Sequence, residues 1–163
     1  MYKKLLAILM LIFSFSVMAK DKLKIGVTLQ PYYSFAVNIV KDNLSTENEV
    51  RSICIDDYEI AFCKGCRTCH KTAQCFQKDD VIKIMEQYEW ADIIVSVSPS
   101  YWADIPGQFK VFIDKCTPWC NTHEPHAKLS AGKKGYTIAL RTGSSMPECE
   151  RIISSIEHFH GHL

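Results

Sequence analysis

The sequence predicts an α/β fold in which helices lie on both faces of a parallel sheet, and three observations support this prediction. Short apolar runs typical of strands alternate along the chain with longer amphipathic segments typical of helices. The run Ile93–Val97 is apolar throughout most of its length, as expected of a strand with both faces covered. The 163 residues are 47% hydrophobic and 23% charged, which is ordinary for one globular domain.

The first nineteen residues differ from the rest and have the pattern of a secretory signal peptide. Lys3 and Lys4 precede an uncharged apolar run from Leu5 to Val17, and Ala19 stands where cleavage would occur. The run is too short to span a bilayer comfortably. The alternative is a buried N-terminal strand or helix. We therefore divide the chain into a signal peptide-like segment, 1–19, and a domain, 20–163.

The first half of the domain is predicted to begin with two strands joined by a helix. The first strand is Leu23–Leu29, and the second is Glu49–Ile55. Between them, Ser34 is a plausible helix N-cap, and the apolar stripe of that helix ends near Asn43.

The second half alternates helices and strands. Acidic side chains at Asp79 and Asp80 complement the dipole of a helix that ends at Trp90–Asp92. The remaining elements are the strand at 93–97, a helix beginning at Ile105-Pro106, the strand Lys134–Leu140 and a last helix over Pro147–Phe159. Ligands of such sheets bind beyond the carboxyl ends of the strands. The loops after strands one, three and four are therefore the predicted binding loops.

Four of the eight cysteines form one compact group with the spacing C-x2-C-x2-C-x5-C. These are Cys63, Cys66, Cys69 and Cys75, which we call the cysteine loop. Gly65 permits the positive φ that a tight curl around one centre needs. Thiolates bind zinc or iron–sulfur clusters. Three interpretations stay open, namely a [4Fe-4S] cluster, thiols or disulfides without a cluster, and a structural zinc site.

A second group of cysteines and histidines is less specific. Cys116 and Cys120 lie four residues apart, and His123 and His126 follow. A second metal site is conceivable, but a half-buried cysteine pair beside a solvated histidine loop is the favoured interpretation. The formal net charge of +1 gives no electrostatic argument for a nucleic-acid partner.

From about Val50 onward the chain resembles the NADPH-dependent FMN reductases and, among them, the iron–sulfur flavoproteins. The matching motifs are the cysteine loop, Lys78-Asp79-Asp80, Ala91-Asp92-Ile-Ile, and Ser98-Pro99-x-Tyr101-Trp102-x3-Pro106-x2-Phe109-Lys110-x-Phe112-Ile113-Asp114. This resemblance implies a flavodoxin-like three-layer sandwich with FMN and NAD(P)H as cofactor and co-substrate. It implies a [4Fe-4S] cluster on the four cysteines as well.

The resemblance also implies which residues contact the flavin. They belong to the loop after strand three, with Tyr101 and Trp102 beside the ring, and the set is Ser98, Pro99, Ser100, Tyr101, Trp102, Ile105 and Pro106. Gly143 lies in a weaker match to a second flavin loop. The alternative is that Tyr101 and Trp102 cap the core of the sheet. The family further implies a cytoplasmic homo-oligomer that passes electrons to a small molecule or a protein.

The N-terminal part departs from this family. A glycine-containing phosphate loop should follow the first strand, but here only Thr28, Ser34 and the helix N-terminus could hold the FMN phosphate. Residues 1–44 resemble the start of a zinc or manganese transporter's solute-binding protein. A fusion join near 43–49 and a C-terminally incomplete domain are thus expected.

Two rival functions stay open. One is an exported zinc-binding protein that uses the cysteine loop, in the periplasm or outside the cell if the signal peptide is genuine. The other is a flavin electron carrier without NAD(P)H turnover.

Overall fold

The structure is a computed structural model, which describes residues 22–29 and 48–163. Its strands are β1 (Lys24–Leu29), β2 (Glu49–Cys54), β3 (Ile93–Pro99) and β4 (Lys134–Leu140). Its helices are α1 (Cys69–Thr72), α2 (Val81–Trp90), α3 (Gly107–Lys115) and α4 (Met146–His160). Two 3-10 turns, Ile55–Asp57 and Thr117–Trp119, connect some of these elements.

The four described strands form one parallel sheet in the order β2-β1-β3-β4. This is the strand order of flavodoxin-like folds, so the α/β prediction is confirmed. The order reverses between β1 and β3, because β2 lies on one side of β1 and β3 on the other. In open sheets of this type, such a switch point opens the crevice where ligands bind.

Most predicted element limits agree with the structure to within two residues. The strand Lys134–Leu140 is as predicted, whereas β3 runs two residues farther than Val97 because Ser98 and Pro99 still pair with β4. The second strand ends at Cys54 because a 3-10 turn begins at Ile55. The predicted signal peptide and the helix between the first two strands lie outside the described residues, as does most of the predicted join.

Apolar side chains on the two faces of the sheet belong to two separate clusters. Helices α2, α3 and α4 pack together against one face, where the cluster includes Ile84, Tyr88, Ile94, Phe112 and Ile156. The other face carries the smaller cluster of Ile25, Val95 and Val97. Residues 94 and 95 point to opposite faces because side chains alternate along a strand.

One polar contact lies inside the larger layer. The buried hydroxyl of Ser96 lies 3.1 Å from Nε2 of His160 at the end of α4. Burial lowers the pKa of His160 to about 4. Helix α4 is therefore fixed to β3 through a neutral imidazole. In the described ranges, no helix combines the length and the apolar character that crossing a membrane requires.

Candidate functional site

The loops that follow β2, β3 and β4 all leave the sheet at its carboxyl edge. The cysteine loop, 63–75, follows β2, and the segment 98–106, which we call the aromatic loop, follows β3. The third loop, 141–145, follows β4. The loop after β1 begins at residue 30 and lies outside the described residues, as does the predicted ligand Ser34. Thr28 lies in β1 near this edge, paired with Ile53 and Ser96.

The aromatic loop folds into a very tight hairpin. Tyr101 and Asp104 exchange two backbone hydrogen bonds, of 2.9 and 3.1 Å. Between them, Trp102 and Ala103 both have positive φ, 53° and 62°, which is the pattern of a type I′ turn. This conformation favours Gly, Asn or Asp at both central positions, and it costs about 1–3 kcal/mol for each other residue. The chain thus stores backbone strain in the hairpin, whose tip carries Trp102.

The aromatic side chains of this loop are exposed. Trp102 has no contact that reduces its accessibility, and Tyr101 is 40% exposed. This geometry does not agree with the alternative that the two aromatic residues cap the core. A fully exposed tryptophan on a strained turn is a large apolar surface available to a planar ligand.

The remaining predicted residues of the aromatic loop support the hairpin from below. Ser98 is fully buried, and its hydroxyl donates to the carbonyl of Pro99 at 3.1 Å, so that hydroxyl is used within the protein. The amide of Ile105 donates to Asp104 Oδ1 at 2.7 Å. Pro106 is buried and precedes the first residue of α3, with extended backbone. These residues fix the orientation of the hairpin relative to the sheet.

A polar network that sequence reasoning missed connects the second and third binding loops. Ser100 donates through its hydroxyl to Glu148 Oε2 at 3.2 Å, and Arg141 forms an ion pair with the same carboxylate oxygen at 3.2 Å. Arg141 also donates to the carbonyl of Ser145 at 2.8 Å. The sequence offered one signal for this network, the acidic residue Glu148 in the first turn of α4, but that pattern does not identify the partners of Glu148.

This network offers one test of whether a flavin fits. Nε of Arg141 is buried and has no hydrogen-bond partner in the described residues. The predicted ligand Gly143 lies beside it with φ of 106°, and a Cβ there would come within 3.3 Å of the Arg141 guanidinium. An unpaired donor on Arg141, which Glu148 connects to the aromatic loop through Ser100, fits a ligand with acceptor atoms on its edge, which is the chemistry of FMN.

The cysteine loop is held at its base by two neighbouring carboxylates. Asp79 accepts hydrogen bonds from the amides of Ala61 and Val81, at 3.1 and 3.2 Å. Asp80 accepts from the amide of Glu59 at 3.1 Å, and the Asp80 amide donates back to the carbonyl of Glu59. The acidic pair, predicted to complement the dipole of α2, therefore also fastens the chain that enters the loop.

The cysteine loop has the positive φ predicted at Gly65, and its four cysteines line one small cavity. Gly65 has φ of 62°, and the non-glycine residues Arg67 and Ala73 are also left-handed, at 58° and 56°. The four cysteines line a cavity of about 20 Å³, together with residues of the 115–118 segment. Such a space holds roughly one water molecule, so a larger group requires the side chains to move.

All eight cysteines are described, and all are free thiols. Cys63 and Cys66 are exposed, and Cys69 and Cys75 are half-buried. A hydrogen bond with Thr68 lowers the pKa of Cys66, whereas burial raises that of Cys69. Within residues 22–29 and 48–163, no three histidine, cysteine or acidic side chains converge closely enough to hold a metal ion. The donor set of four sulfur atoms nevertheless fits zinc or an iron–sulfur cluster.

A buried lysine contacts the cysteine loop from below. The side chain of Lys115, at the end of α3, is fully buried, and Nζ lies 2.9 Å from Asp79 Oδ2. It also donates to Cys75 Sγ at 3.2 Å and Gln77 Oε1 at 3.4 Å. Burial disfavours the ammonium charge, but the bonds to Asp79 and Cys75 outweigh it and raise the pKa of Lys115. The site therefore has a permanent buried cation beside a thiol.

The second cysteine and histidine group contributes to packing. Cys116 is buried, not half-buried, and its thiol lies 3.6 Å from Met85 Sδ. The ring of His123 stacks on that of His70 at 3.9 Å, and its two nitrogens lie 3.1 and 2.9 Å from the carbonyl oxygens of Pro125 and Thr117. Because both nitrogens of His123 face backbone carbonyls, this ring is not free to bind a metal.

A cavity of about 560 Å³ lies between the segment that precedes the cysteine loop and the first turns of α3. Its walls are mainly apolar and come from Tyr58, Ile60, Phe62, Gly107 and Val111. Its size falls within the range of small-molecule pockets. The cavity therefore lies beside the segment 55–62 that follows β2.

Comparisons with known proteins identify sequences that are similar to this chain. The family described as NADPH-dependent FMN reductase matches residues 32–149. An iron–sulfur flavoprotein of Archaeoglobus fulgidus is 34% identical over 100 residues, which are 61% of this chain and 43% of that protein. An iron–sulfur flavoprotein of Methanocaldococcus jannaschii is 32% identical over 108 residues, 65% of this chain and 53% of that protein. The chain thus spans about half the length of these relatives.

Solved structures show the same fold at low sequence identity. An azoreductase from Bacillus anthracis has a TM-score of 0.59 at 15% identity, covering 86% of this chain and 81% of that one. An FMN-dependent NADH-azoreductase from Bacillus anthracis, solved in complex with FMN, has a TM-score of 0.59 at 13% identity, covering 87% and 82%. These likenesses confirm the flavodoxin-like fold.

Proposed function

The chain belongs to the NADPH-dependent FMN reductase family, and we propose that it is an oxidoreductase that uses FMN with NAD(P)H as the reductant. FMN would lie at the carboxyl edge of the sheet, near the switch point between β1 and β3. When bound, FMN supplies the hydride and one-electron transfer chemistry. The protein supplies the binding surface, the orientation of the ring and the exclusion of water.

The observation that carries this proposal is the strained hairpin with Trp102 at its tip. Left-handed backbone at two consecutive non-glycine residues persists only where the surroundings enforce it, and such strain clusters at ligand sites. In this assignment Trp102 and Tyr101 form an aromatic wall for the isoalloxazine. Backbone amides of the loop and the guanidinium of Arg141 would bond to its polar edge, while Ser100 and Glu148 hold Arg141 in place.

The finer part of the proposal concerns the cysteine loop. Cys63, Cys66, Cys69 and Cys75 would hold a [4Fe-4S] cluster that takes electrons singly from the flavin. Support comes from the four cysteines that line one cavity, from the buried cation of Lys115, and from curated relatives named iron–sulfur flavoproteins. A small-molecule or protein acceptor would then receive the electrons. A zinc-binding protein and a flavin carrier without NAD(P)H turnover are the outcomes that the experiment must separate.

One measurement separates these functions. We expect anaerobically purified protein to show flavin absorption bands with a broad iron–sulfur shoulder, and NADPH or NADH to bleach the flavin. Metal analysis on the same sample should find iron in preference to zinc. Zinc without flavin would contradict the proposal, and flavin that no pyridine nucleotide reduces would identify a carrier.

The role of the hairpin is tested by Trp102→Ala. Removal of the aromatic wall should weaken FMN binding roughly tenfold, or about 1.4 kcal/mol, as measured by fluorescence titration. Tyr136→Ala is the matched control, because Tyr136 is also an exposed aromatic residue but lies in the first half of β4. Equal FMN affinity in the wild type and Trp102→Ala would show that the ring does not lie against this loop.

A further inference from the structure

Lys115 contacts the cysteine loop from the helix that follows the aromatic loop. It is the last residue of α3, and this helix begins directly after the aromatic loop, at Gly107. Its ammonium group contacts Asp79 and Cys75, which belong to the base and the end of the cysteine loop. A single buried side chain thus links the helix of one loop to a thiol of the other.

The charges around Lys115 do not simply cancel. Its carboxylate partner, Asp79, also accepts hydrogen bonds from two backbone amides, those of Ala61 and Val81, which share its negative charge. Nζ of Lys115 meanwhile directs a donor at Cys75 Sγ over 3.2 Å. The thiol of Cys75 consequently faces the positive end of a buried ion pair.

Hydrogen bonds to sulfur ligands and local charge set the reduction potential of an iron–sulfur centre. Reduction adds one electron to a group that four thiolates already make more negative, with no bond formed or broken. A buried ammonium beside one of those sulfur atoms stabilises the reduced form more than the oxidised form. Groups that bond to metal ligands also fix the orientation of those ligands.

We propose that Lys115 is a positioning residue that fixes Cys75 as a ligand and raises the reduction potential of the cluster, so that the centre accepts an electron from the flavin. This inference rests on the proposed function, because it assumes that the cysteine loop holds a cluster. It assigns a role to a residue outside the cysteine motif, on a different element of the fold.

The test compares Lys115→Met with Lys115→Arg, which keeps the positive charge. The readouts are iron per chain and the midpoint potential of the cluster, followed by electron paramagnetic resonance during an anaerobic redox titration. We expect Lys115→Met to disfavour the reduced cluster at least tenfold, a shift of 59 mV to more negative potential for one electron. Lys115→Arg should retain a potential nearer to that of the wild type.

Lys110→Met is the matched control, because Lys110 is also on α3 and also pairs with an aspartate, but both side chains of that pair are exposed. It should leave the potential unchanged. Since Lys115→Met strands Asp79 in the interior, Asp79→Asn with Lys115→Met is a second variant without a lone buried charge. Far-ultraviolet circular dichroism confirms that each variant is folded.

The outcomes separate this inference from the function on which it rests. The role of Lys115 is supported if the midpoint potential becomes more negative in Lys115→Met and in the double variant Asp79→Asn with Lys115→Met. Loss of iron from both of these variants, while they remain folded, supports it as well. Full iron content with an unchanged potential overturns that role and leaves the cluster in place. Wild-type protein that binds flavin but takes up no iron overturns both the cluster and this role.

Discussion

The aromatic loop and the cysteine loop both follow strands of one parallel sheet, but they are held in different ways. The aromatic loop is short and fixed by its own backbone, through the reciprocal hydrogen bonds of Tyr101 and Asp104. The cysteine loop is longer, and side chains from outside it hold it, chiefly Asp79, Asp80 and Lys115. Each loop contains left-handed non-glycine residues, so both store backbone strain.

This difference indicates what each loop can tolerate. A hairpin closed by its backbone keeps its shape when most side chains change, as a binding surface for one ligand requires. A loop held by a buried ion pair depends on two particular side chains at distant positions in the sequence. Loss of either partner leaves an unpaired charge in the interior, which costs much more than loss of a surface pair.

The largest effect expected from this comparison is that of Asp79→Ala. The substitution leaves Lys115 buried without its carboxylate. It also removes the hydrogen-bond acceptor of two backbone amides, those of Ala61 before the cysteine loop and of Val81 at the start of α2. We expect the free energy of unfolding to fall by about 3–5 kcal/mol, measured by urea denaturation.

The matched control for that experiment is Asp114→Ala. Asp114 pairs with Lys110 on the exposed side of α3, so its loss should cost less than about 1 kcal/mol. Similar losses in the two variants would mean that the cysteine loop is not held by its buried ion pair.

His160, which lies away from both loops, tests the stability of the contact between α4 and the sheet. The pKa of His160 is about 4 in the folded protein, below the ordinary 6.5, because burial disfavours the charged imidazole. The unfolded chain therefore binds a proton as the pH falls below 6.5, while the folded chain does not. Stability from this group is complete above pH 6.5 and should decline by about 3 kcal/mol as the pH falls to 4.

The measurement for His160 is urea unfolding at several pH values between 4 and 7.5. His160→Gln removes the titrating group and keeps a polar side chain opposite Ser96, so it should make the unfolding free energy less dependent on pH in this range. If the variant and the wild type lose stability in parallel, acid sensitivity arises elsewhere, and Asp80, whose pKa is lowered by its hydrogen bond with Lys83, becomes the next candidate.

The smallest expected effects come from two substitutions, one that removes backbone strain from the aromatic loop and one that adds it to the cysteine loop. Ala103→Gly places glycine at φ of 62° in the aromatic loop and should stabilise the protein by about 1 kcal/mol. Gly65→Ala introduces a Cβ at the same φ in the cysteine loop, where no atom lies within 4 Å, so only backbone strain should destabilise it, by about 1 kcal/mol. Thermal unfolding midpoints should move in opposite directions; shifts of one sign in both variants would contradict this account.

The regular part of the fold could be predicted from local patterns. The strand Lys134–Leu140 was predicted with the limits that the structure shows, and the alternation of elements gave the parallel sheet. The curl at Gly65 also followed from its residue type and position. The short helix α1 inside the cysteine loop was not predicted, because Cys69–Thr72 is only one turn and has no apolar stripe.

Contacts between distant residues were beyond such patterns. No sequence pattern indicates that Lys115 pairs with Asp79. The apolar periodicity of α3 indicates only that Lys115 is buried. Lys115 lies three residues after Phe112 and six after Phe109, on the buried stripe of α3, where a charged residue needs a partner. The I′ turn at Trp102 and Ala103 was also missed, since neither residue type favours positive φ.

The number of residues in helix α3 sets the distance between the aromatic loop and the contact of Lys115 with the cysteine loop. Its nine residues correspond to a rigid spacer of about 13 Å, with Pro106 before one end and Lys115 at the other. Deletion or insertion of one residue in α3 would rotate Lys115 by about 100° about the helix axis and withdraw it from Cys75. The spacer can therefore vary in composition along its exposed side, but its length is fixed by the two loops that it connects.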